Sequence, residues 1–258
     1  MDIAALRDLF DRQMRVNAPP DAGTGTVDTA GPIVRVISDN GWSGVRYSDL
    51  TDTTADAVIA VEAAHFAALG VPCEWKHYSH DQPADLPDRL TRAGFTAGEP
   101  EAQLIADLGD TPHEVSLPDD VDLWIATDDD GVAAAAQVQH RVFGRDLAQV
   151  TASLRDQLDH PDINIIAVAA VNGEPVSAAR LELTPGTQFA GFWGGATLPQ
   201  WRGRGIYRAL VAYRAKIAHD RGHRYGYVDA SPDSEPILRR LGFHRIGTTT
   251  PFILEPTR

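Results

Sequence analysis

The residues best suited to chemistry lie in the stretch Gln200–Tyr207, where Gly203 and Gly205 stand between arginines at the start of a helical run. The first N–H groups of a helix have no partner within it, and the helix dipole makes this end attractive to anions. Glycines let an anion approach the backbone closely, and Arg202 and Arg204 add positive charge. The stretch therefore predicts a binding site for a pyrophosphate group.

The charge of this region is opposite to that of the whole chain. Residues 200–224 contain seven Lys and Arg residues and a single acidic residue, Asp220, whereas the 258-residue chain has a net charge of −13. The local excess supports an anion site, although we expect Arg214, Lys216 and Arg221 to form a solvated basic helix face. The acidic chain as a whole disfavours non-specific nucleic-acid binding and is compatible with a cationic substrate.

Cysteine content and hydropathy narrow the class of protein. Cys73 is the only cysteine, which excludes an intramolecular disulfide and a thiolate zinc cluster, and we expect it in the core. No apolar run approaches the roughly 20 residues of a membrane span, and Met1–Phe10 does not resemble a signal peptide. The acidic triplet Asp128–Asp130 is better explained as a helix start than as a metal site. His219 and His223 are likewise better explained as surface residues than as metal ligands. We therefore expect a cytoplasmic protein with no metal and no membrane association.

Hydrophobic periodicity predicts a chain of mixed helices and strands. Asn17–Pro32 has the composition of a loop, and Asp39–Gly41 and Asn172–Gly173 are typical hairpin turns. The predicted helices are 2–15, 55–69, 86–92, 127–143, 147–158, 208–221 and 235–241, and the predicted strands are 33–37, 42–50, 73–78, 102–108, 121–126, 163–171, 175–183, 187–197, 224–230 and 243–254.

An internal repeat divides the chain. Leu86–Phe95 parallels Pro236–Phe243 at a constant offset, and the same order of helix, strand, helix and strand surrounds both segments. A duplicated unit explains this order, with domains 1–115 and 116–258 separated near the polar segment Thr111–Asp120. Before its long helix, the first copy carries Ser48–Thr53, which has acidic side chains in place of glycines and arginines. We therefore expect the N-terminal copy to be degenerate and structural.

Gln200-x-x-Gly203-x-Gly205, placed after a strand and before a helix, resembles the acyl-CoA-binding motif of the GNAT acetyltransferase superfamily. Leu238–Phe243 resembles the closing helix and turn of that family, so the resemblance covers residues 118–258 and, more weakly, 33–108. It implies a tandem protein with a degenerate N-terminal copy. Each half would have the GNAT fold, an α/β fold of the α+β type with a mixed, mainly antiparallel sheet flanked by helices.

The resemblance implies that acetyl-CoA is the acyl donor and that amides of the motif hold its pyrophosphate. It also implies that the strand before the motif separates from its neighbour and pairs with the pantetheine arm, and Gly194–Gly195 suits a bulge there. The implied CoA-binding residues are Gly195, Ala196, Thr197, Arg202, Gly203, Arg204, Gly205, Ile206 and Tyr207.

Acyl transfer by direct attack of an amine needs a base, an oxyanion donor and a proton donor for the departing thiolate. Backbone N–H groups near Ala196–Leu198 are candidates for the oxyanion donor. Leu238 stands where many family members have a tyrosine, so the proton would come from Ser231, Tyr207 or water. The candidate bases are Glu182, Asp229 and His140.

Two functions remain open from the sequence. The first is an N-acetyltransferase acting on a small-molecule or protein amine, with a cationic acceptor weakly favoured. The second is a CoA-fold ligand-binding or interaction protein with little catalysis, which the missing tyrosine permits. A homodimer is also open. A Rossmann dinucleotide site is disfavoured, because Arg208 occupies the position of its third glycine and the hairpin at Asn172–Gly173 favours antiparallel strands.

Overall fold

A computed structural model describes residues 2–17, 25–38, 42–113 and 117–256 of the chain. The chain divides into two compact units, which are interleaved in sequence because a short loop and the last strand belong to the first. The first unit is Met1–Gln103, Asp229–Pro232 and Arg245–Arg258, and the second is Leu104–Val228 and Asp233–His244. The consecutive domains 1–115 and 116–258 stay a prediction.

Seven α-helices and twelve strands are seen in the described residues, together with a π-helical turn at Asp11–Val16 and a 3-10 turn at Pro199–Trp201. In chain order they are α1 (Ile3–Phe10), β1 (Thr26–Ala30), β2 (Ile33–Ile37), β3 (Gly44–Ser48), α2 (Ala55–Leu69), β4 (Cys73–Tyr78), α3 (Leu86–Arg92), β5 (Thr96–Ala97), β6 (Glu101–Asp107), β7 (Val121–Ile125), α4 (Asp129–Phe143), α5 (Leu147–Leu158), β8 (Asn164–Val171), β9 (Glu174–Leu183), β10 (Phe189–Thr197), α6 (Ile206–Asp220), β11 (Tyr225–Ala230), α7 (Glu235–Arg240) and β12 (His244–Leu254).

In the first unit, β1, β2 and β3 pair in antiparallel fashion, β3 pairs with β4 in parallel, and β12 runs antiparallel to β4 and β5. Its core gathers large apolar side chains from α2, α3 and the strands, among them Phe66, Trp75, Leu90 and Phe252. Cys73 lies in this core, where burial raises the pKa of its thiol to about 12. A thiol so hard to ionise is a packing residue, as the sequence predicts.

A buried ion pair holds the π-helical turn in place. Arg15 is 1% exposed and donates to both carboxylate oxygens of Asp81, at 2.7 and 2.9 Å. The same guanidinium lies 3.9 Å from the ring centroid of Tyr78. Because a buried charge is costly unless it is paired and hydrogen-bonded, this cluster fixes one arrangement of the N-terminal segment.

In the second unit, β7, β8, β9 and β10 form an antiparallel series and β10 pairs with β11 in parallel. Alternate residues of β9 face opposite sides of this sheet. Ala178 packs with α4 and α5 on one side, and Ala179 packs with Leu210 of α6 on the other. Helix α4 starts at an acidic cap, as expected, because Asp128 accepts a hydrogen bond from the N–H of Gly131 at 2.9 Å.

The predicted fold class is confirmed: helices flank a sheet in which antiparallel pairings predominate. Two strands were missed. The predicted loop Asn17–Pro32 contains β1, and the two-residue strand β5 was not expected. The predicted turn Asp39–Gly41 lies outside the described residues. No helix in the described part of the chain has the length and apolar character needed to cross a membrane.

The internal repeat has matching backbone geometry in the two units. Gly94 after α3 and Gly242 after α7 have φ angles of 96° and 93°, in the left-handed region that glycine favours. In each case the next residue is a phenylalanine whose N–H donates at 3.1 Å to a leucine carbonyl, Phe95 to Leu90 and Phe243 to Leu238. A parallel strand pair precedes both turns, β3 with β4 and β10 with β11. These equivalent geometries support duplication of one structural unit.

Candidate active site

The predicted anion site lies where β10 ends and α6 begins. Gly203 and Gly205 have φ angles of 78° and 83°, and a Cβ placed on either would meet no protein atom within 4 Å. Gly205 is the N-cap of α6 and has no capping side chain, and the first helical hydrogen bond runs from the N–H of Ala209 to the carbonyl of Gly205 at 3.0 Å. Helix geometry leaves the N–H groups of Ile206 and Tyr207 without a helical acceptor. The described protein atoms therefore leave the loop uncovered at both glycines, next to N–H donors of the first helical turn.

The two arginines of the motif are used differently from each other. Arg204 donates to both carboxylate oxygens of Asp120, at 2.7 and 2.9 Å, and lies over the ring of Trp201. This hydrogen bond lowers the pKa of Asp120, so the carboxylate balances the charge of Arg204 at neutral pH. Arg202 is exposed and donates through Nε to the carbonyl of Thr197 at 3.2 Å. The expectation that both arginines add uncompensated charge to the loop is therefore corrected for Arg204.

Arg214 is not on a solvated helix face, and that expectation was wrong. The residue is 1% exposed and donates to the carbonyl oxygens of Arg180 and Leu210, at 2.7 and 3.1 Å, with Phe192 beneath its guanidinium. Burial lowers its pKa to about 10. Lys216 and Arg221 are exposed, as predicted.

Strand β10 separates from β11 next to this loop. Their parallel register ends at the pair Gly191 and Tyr227, although both strands continue. The pairing of β10 with β9 is interrupted between Trp193 and Ala196, where Gly194 has a φ of 58°. The expected bulge at Gly194–Gly195 is thus confirmed. The edge of β10 that faces β11 has no ladder partner beyond Gly191 in the described strands and is open to pairing with a ligand.

Some backbone groups at the end of β10 already form hydrogen bonds within the protein. The carbonyl of Ala196 accepts from the hydroxyl of Ser177 at 2.6 Å, and the N–H of Leu198 donates to the carbonyl of Val176 at 2.9 Å. The N–H of Leu198 therefore does not suit an oxyanion donor, which corrects that part of the expectation.

Tyr207 lies against the bulge. A Cβ on Gly195 would stand 2.8 Å from Cε2 of Tyr207, so the ring covers the bare backbone at that point. The hydroxyl is hydrogen-bonded with Ser234. Burial raises the pKa of Tyr207, although the charge of Arg214 and the bond with Ser234 act in the opposite direction. The phenol is therefore protonated at neutral pH and is placed beside the separated strand.

Glu182, a candidate base, lies in the same row of residues as the last pair of β10 and β11. It pairs with Gly191 across β9 and β10, and Gly191 pairs with Tyr227. The ring of Trp193 lies over Gly191, edge-to-face with Tyr227 at a centroid distance of 5.3 Å. The second unit thus places Glu182, Trp193 and Tyr227 on one face, where the strands separate.

Asp229 and Ser231 lie in the first unit. Asp229 is 5% exposed in its side chain and forms an ion pair with Lys76. Burial is the largest single influence on the pKa of Lys76 and lowers it, but the charge of Asp229, the hydrogen bond with it and the charges of Tyr78 and Glu74 together outweigh burial and raise that pKa. Ser231 follows β11 directly and is exposed. The structure therefore gives Asp229 an ion-pair partner, and the catalytic roles of both residues stay predictions.

Other polar residues of this face were missed by sequence reasoning. Arg180 and Gln139 lie near Gly194, and the available signal was that Arg180 and Glu182 alternate with buried apolar residues and so share one face of β9. His140, the third candidate base, is exposed and contacts the carbonyl of Arg145 through its ring. Among the described residues, no three His, Cys, Asp or Glu side chains are grouped as metal ligands.

Comparisons with known proteins agree with this geometry. A sequence model of the acetyltransferase (GNAT) family matches residues 135–243. A search of curated proteins gives no match. Similar solved structures include a GCN5-related N-acetyltransferase from Kribbella flavida, with a TM-score of 0.66, 17% identity and coverage of 99% of this chain and 95% of that one. Another is a GCN5-related N-acetyltransferase from Sphaerobacter thermophilus, with a TM-score of 0.60, 14% identity and coverage of 88% and 82%.

A third is a tandem GNAT protein from the clavulanic acid biosynthesis pathway, with a TM-score of 0.63, 12% identity and coverage of 93% of this chain and 86% of that one. At these identities the likeness concerns the fold. The family match spans the loop, the separated strand and the closing turn described above. Residues 135–243 therefore match the acetyltransferase (GNAT) family model, within a fold that the chain shares over most of its length with solved GNAT proteins.

Proposed function

We propose that this protein is an N-acetyltransferase that uses acetyl-CoA, with its donor site at the β10–α6 loop. The observation that carries the proposal is the open pair of left-handed glycines, Gly203 and Gly205, before an uncapped helix start and next to a bulged strand. Unpaired amides at a helix start bind phosphate oxygens, and each charge-assisted hydrogen bond contributes on the order of 1.5–3 kcal/mol.

The residues present fit CoA. Amides of the loop and the first turn of α6 would hold the pyrophosphate, with Arg202 as the nearby cation, and the open edge of β10 would pair with the pantetheine arm. Acetyl-CoA supplies the acyl group as a thioester. The residues assigned to it are Gly195, Ala196, Thr197, Arg202, Gly203, Arg204, Gly205, Ile206 and Tyr207.

Proton transfers are assigned to Glu182 and Tyr207. Attack of the amine forms an N–C bond and breaks the C–S bond, so one proton must leave the nitrogen and one must reach the sulfur. Glu182 lies on the face where the strands separate, whereas Asp229 is held by Lys76, so Glu182 is the better base. Tyr207 is half-buried, protonated and beside the bulge, so we assign to it the role of the tyrosine that is absent at Leu238.

The alternative is a CoA-binding protein without efficient catalysis, which Leu238 still favours. Incubating the protein with acetyl-CoA and a panel of primary amines, with thiol release followed over time, distinguishes the two. We expect at least one amine to accelerate thiol release well above the amine-free rate and to yield an N-acetyl product by mass spectrometry. CoA binding without acceleration by any amine would support the alternative. The cytoplasmic location and a homodimer stay predictions.

A further inference from the structure

Two side-chain N–H groups lie beside Gly194 and have no hydrogen-bond acceptor in the described part of the chain. They are Nε2 of Gln139, on α4, and Nε of Arg180, on β9. A Cβ on Gly194 would stand 3.0 Å from the first and 3.3 Å from the second. Both buried donors therefore lie against the backbone of Gly194, at contact distances that only a residue without a side chain permits.

A ligand atom is the natural partner for these donors. Gln139 is only 3% exposed, and a buried donor without an acceptor destabilises the fold unless something supplies one. Burial lowers the pKa of Arg180 and the charge of Arg145 does so further, whereas Glu182 acts in the opposite direction. A guanidinium nevertheless remains charged in proteins, so the missing acceptor is best an anion. A carboxylate suits two N–H groups of this kind because it can accept from both at once.

The donor pair lies on the face proposed for the acceptor. Arg180 pairs with Trp193 across β9 and β10, and Glu182 follows two residues later on the same face. Helix α6, which begins at the proposed acetyl-CoA loop, packs on the opposite face of the sheet, where its Leu210 contacts Ala179. A molecule that reaches Glu182 with its amine would therefore have the donor pair close by.

We propose that Gln139 and Arg180 bind a carboxylate of the amine acceptor, so that the acceptor is an amino acid or another amino carboxylic acid. This rests on the proposed function and replaces the weak expectation of a purely cationic amine. In this arrangement the acceptor amine lies toward Glu182 and its carboxylate toward Gly194, with Trp193 between the two.

The test measures binding to the full-length protein saturated with CoA. Calorimetric titrations compare amines that differ only by a carboxylate: lysine with 1,5-diaminopentane, phenylalanine with phenethylamine, 4-aminobutanoate with propylamine, and β-alanine with ethylamine. We expect at least one carboxylate-bearing member to bind about 10-fold or more tightly than its partner, as for a hydrogen bond to a charged group.

Gln139→Glu tests the residue itself, because it keeps the shape of the side chain and places a negative charge where the carboxylate would lie. It should weaken binding of the carboxylate-bearing amine and so remove the preference for it over the partner amine that has no carboxylate. Gln137→Glu is the matched control, since Gln137 is an exposed glutamine on the same helix, and it should change neither affinity.

Equal affinities within every pair, or no binding by any amine, would overturn the inference, as expected if a water molecule alone occupies the spot. An unchanged preference in Gln139→Glu would do the same. CoA binding is measured in the same samples, which separates the two proposals. If CoA binds but the carboxylate-bearing amines are not preferred, the carboxylate inference is wrong and the acetyltransferase proposal is unaffected. If CoA does not bind, both proposals are wrong.

Discussion

Gly203→Glu is expected to weaken CoA binding about 100-fold, equivalent to about 2.7 kcal/mol. Residue 203 has a φ of 78°, and its Cβ would enter open space where the pyrophosphate is proposed to lie. The new carboxylate would occupy that space and repel the phosphates, with loss of one or two charge-assisted hydrogen bonds. Isothermal titration with CoA measures the change in Kd.

Gly186→Glu provides the control for backbone strain. Gly186 has a φ of 75°, its Cβ would also meet nothing within 4 Å, and it precedes β10 whereas Gly203 follows that strand. Both variants should lose similar stability because both place a side chain in the left-handed region, but only Gly203→Glu should lose CoA affinity. Equal affinity for CoA in the two variants would contradict the assignment of the loop.

Tyr207→Phe is expected to lower kcat about 100-fold, at the lower end of what general acid catalysis contributes. The substitution removes only the hydroxyl that we propose protonates the thiolate. Because the ring that covers Gly195 is kept, KM for acetyl-CoA should change little. Steady-state kinetics with the best acceptor of the amine panel separate kcat from KM.

Tyr213→Phe is the matched control, since Tyr213 lies on the same helix and packs against the apolar side of the sheet. Its kcat should equal that of the wild type. The raised pKa of Tyr207 means that its acidic form persists from pH 7 to 9, so its ionisation should not lower kcat in that range. A Tyr207→Phe enzyme with wild-type kcat would assign the proton transfer to Ser231 or to water.

Local patterns predicted much of this fold. Helix α2, strand β4 and helix α3 have the bounds that periodicity and the glycines at their ends indicate, because these signals are local to each element. The repeat was also visible in sequence, since Gly94 and Gly242 need the same backbone conformation. The strand β1 was missed because its residues, Thr26–Ala30, have the composition of a loop. Of the two strands in this hairpin, only β2 has an apolar pattern that predicts a strand.

The partners of charged residues could not be predicted in the same way. Arg204 pairs with Asp120 and Lys76 with Asp229, across sequence separations that no local pattern records. Arg214 was predicted to be exposed because it is charged. Its position in the helix indicates the opposite, since it follows the buried Leu210 by one helical turn and so faces the sheet. Net charge within the segment thus overstated how many of its cations are available to the predicted anion site, because Arg214 is buried and Arg204 is paired with Asp120.

The helix start in the first unit that corresponds to the β10–α6 loop is acidic. At the equivalent junction of β3 and α2 the chain carries Asp49, Asp52 and Asp56, and the last two lie near Arg89, with distances of 3.9 and 3.1 Å to its nitrogens. Acidic side chains at this helix start oppose phosphate binding. The first unit is therefore expected to contribute no CoA site.

Calorimetric titration of the wild-type protein with acetyl-CoA tests the central claim most directly, because it reports affinity and stoichiometry without knowledge of the acceptor. We predict saturable binding of one acetyl-CoA per chain, displaced by CoA. Absence of binding, or two equivalent sites per chain, would contradict the assignment of a single donor site at the β10–α6 loop.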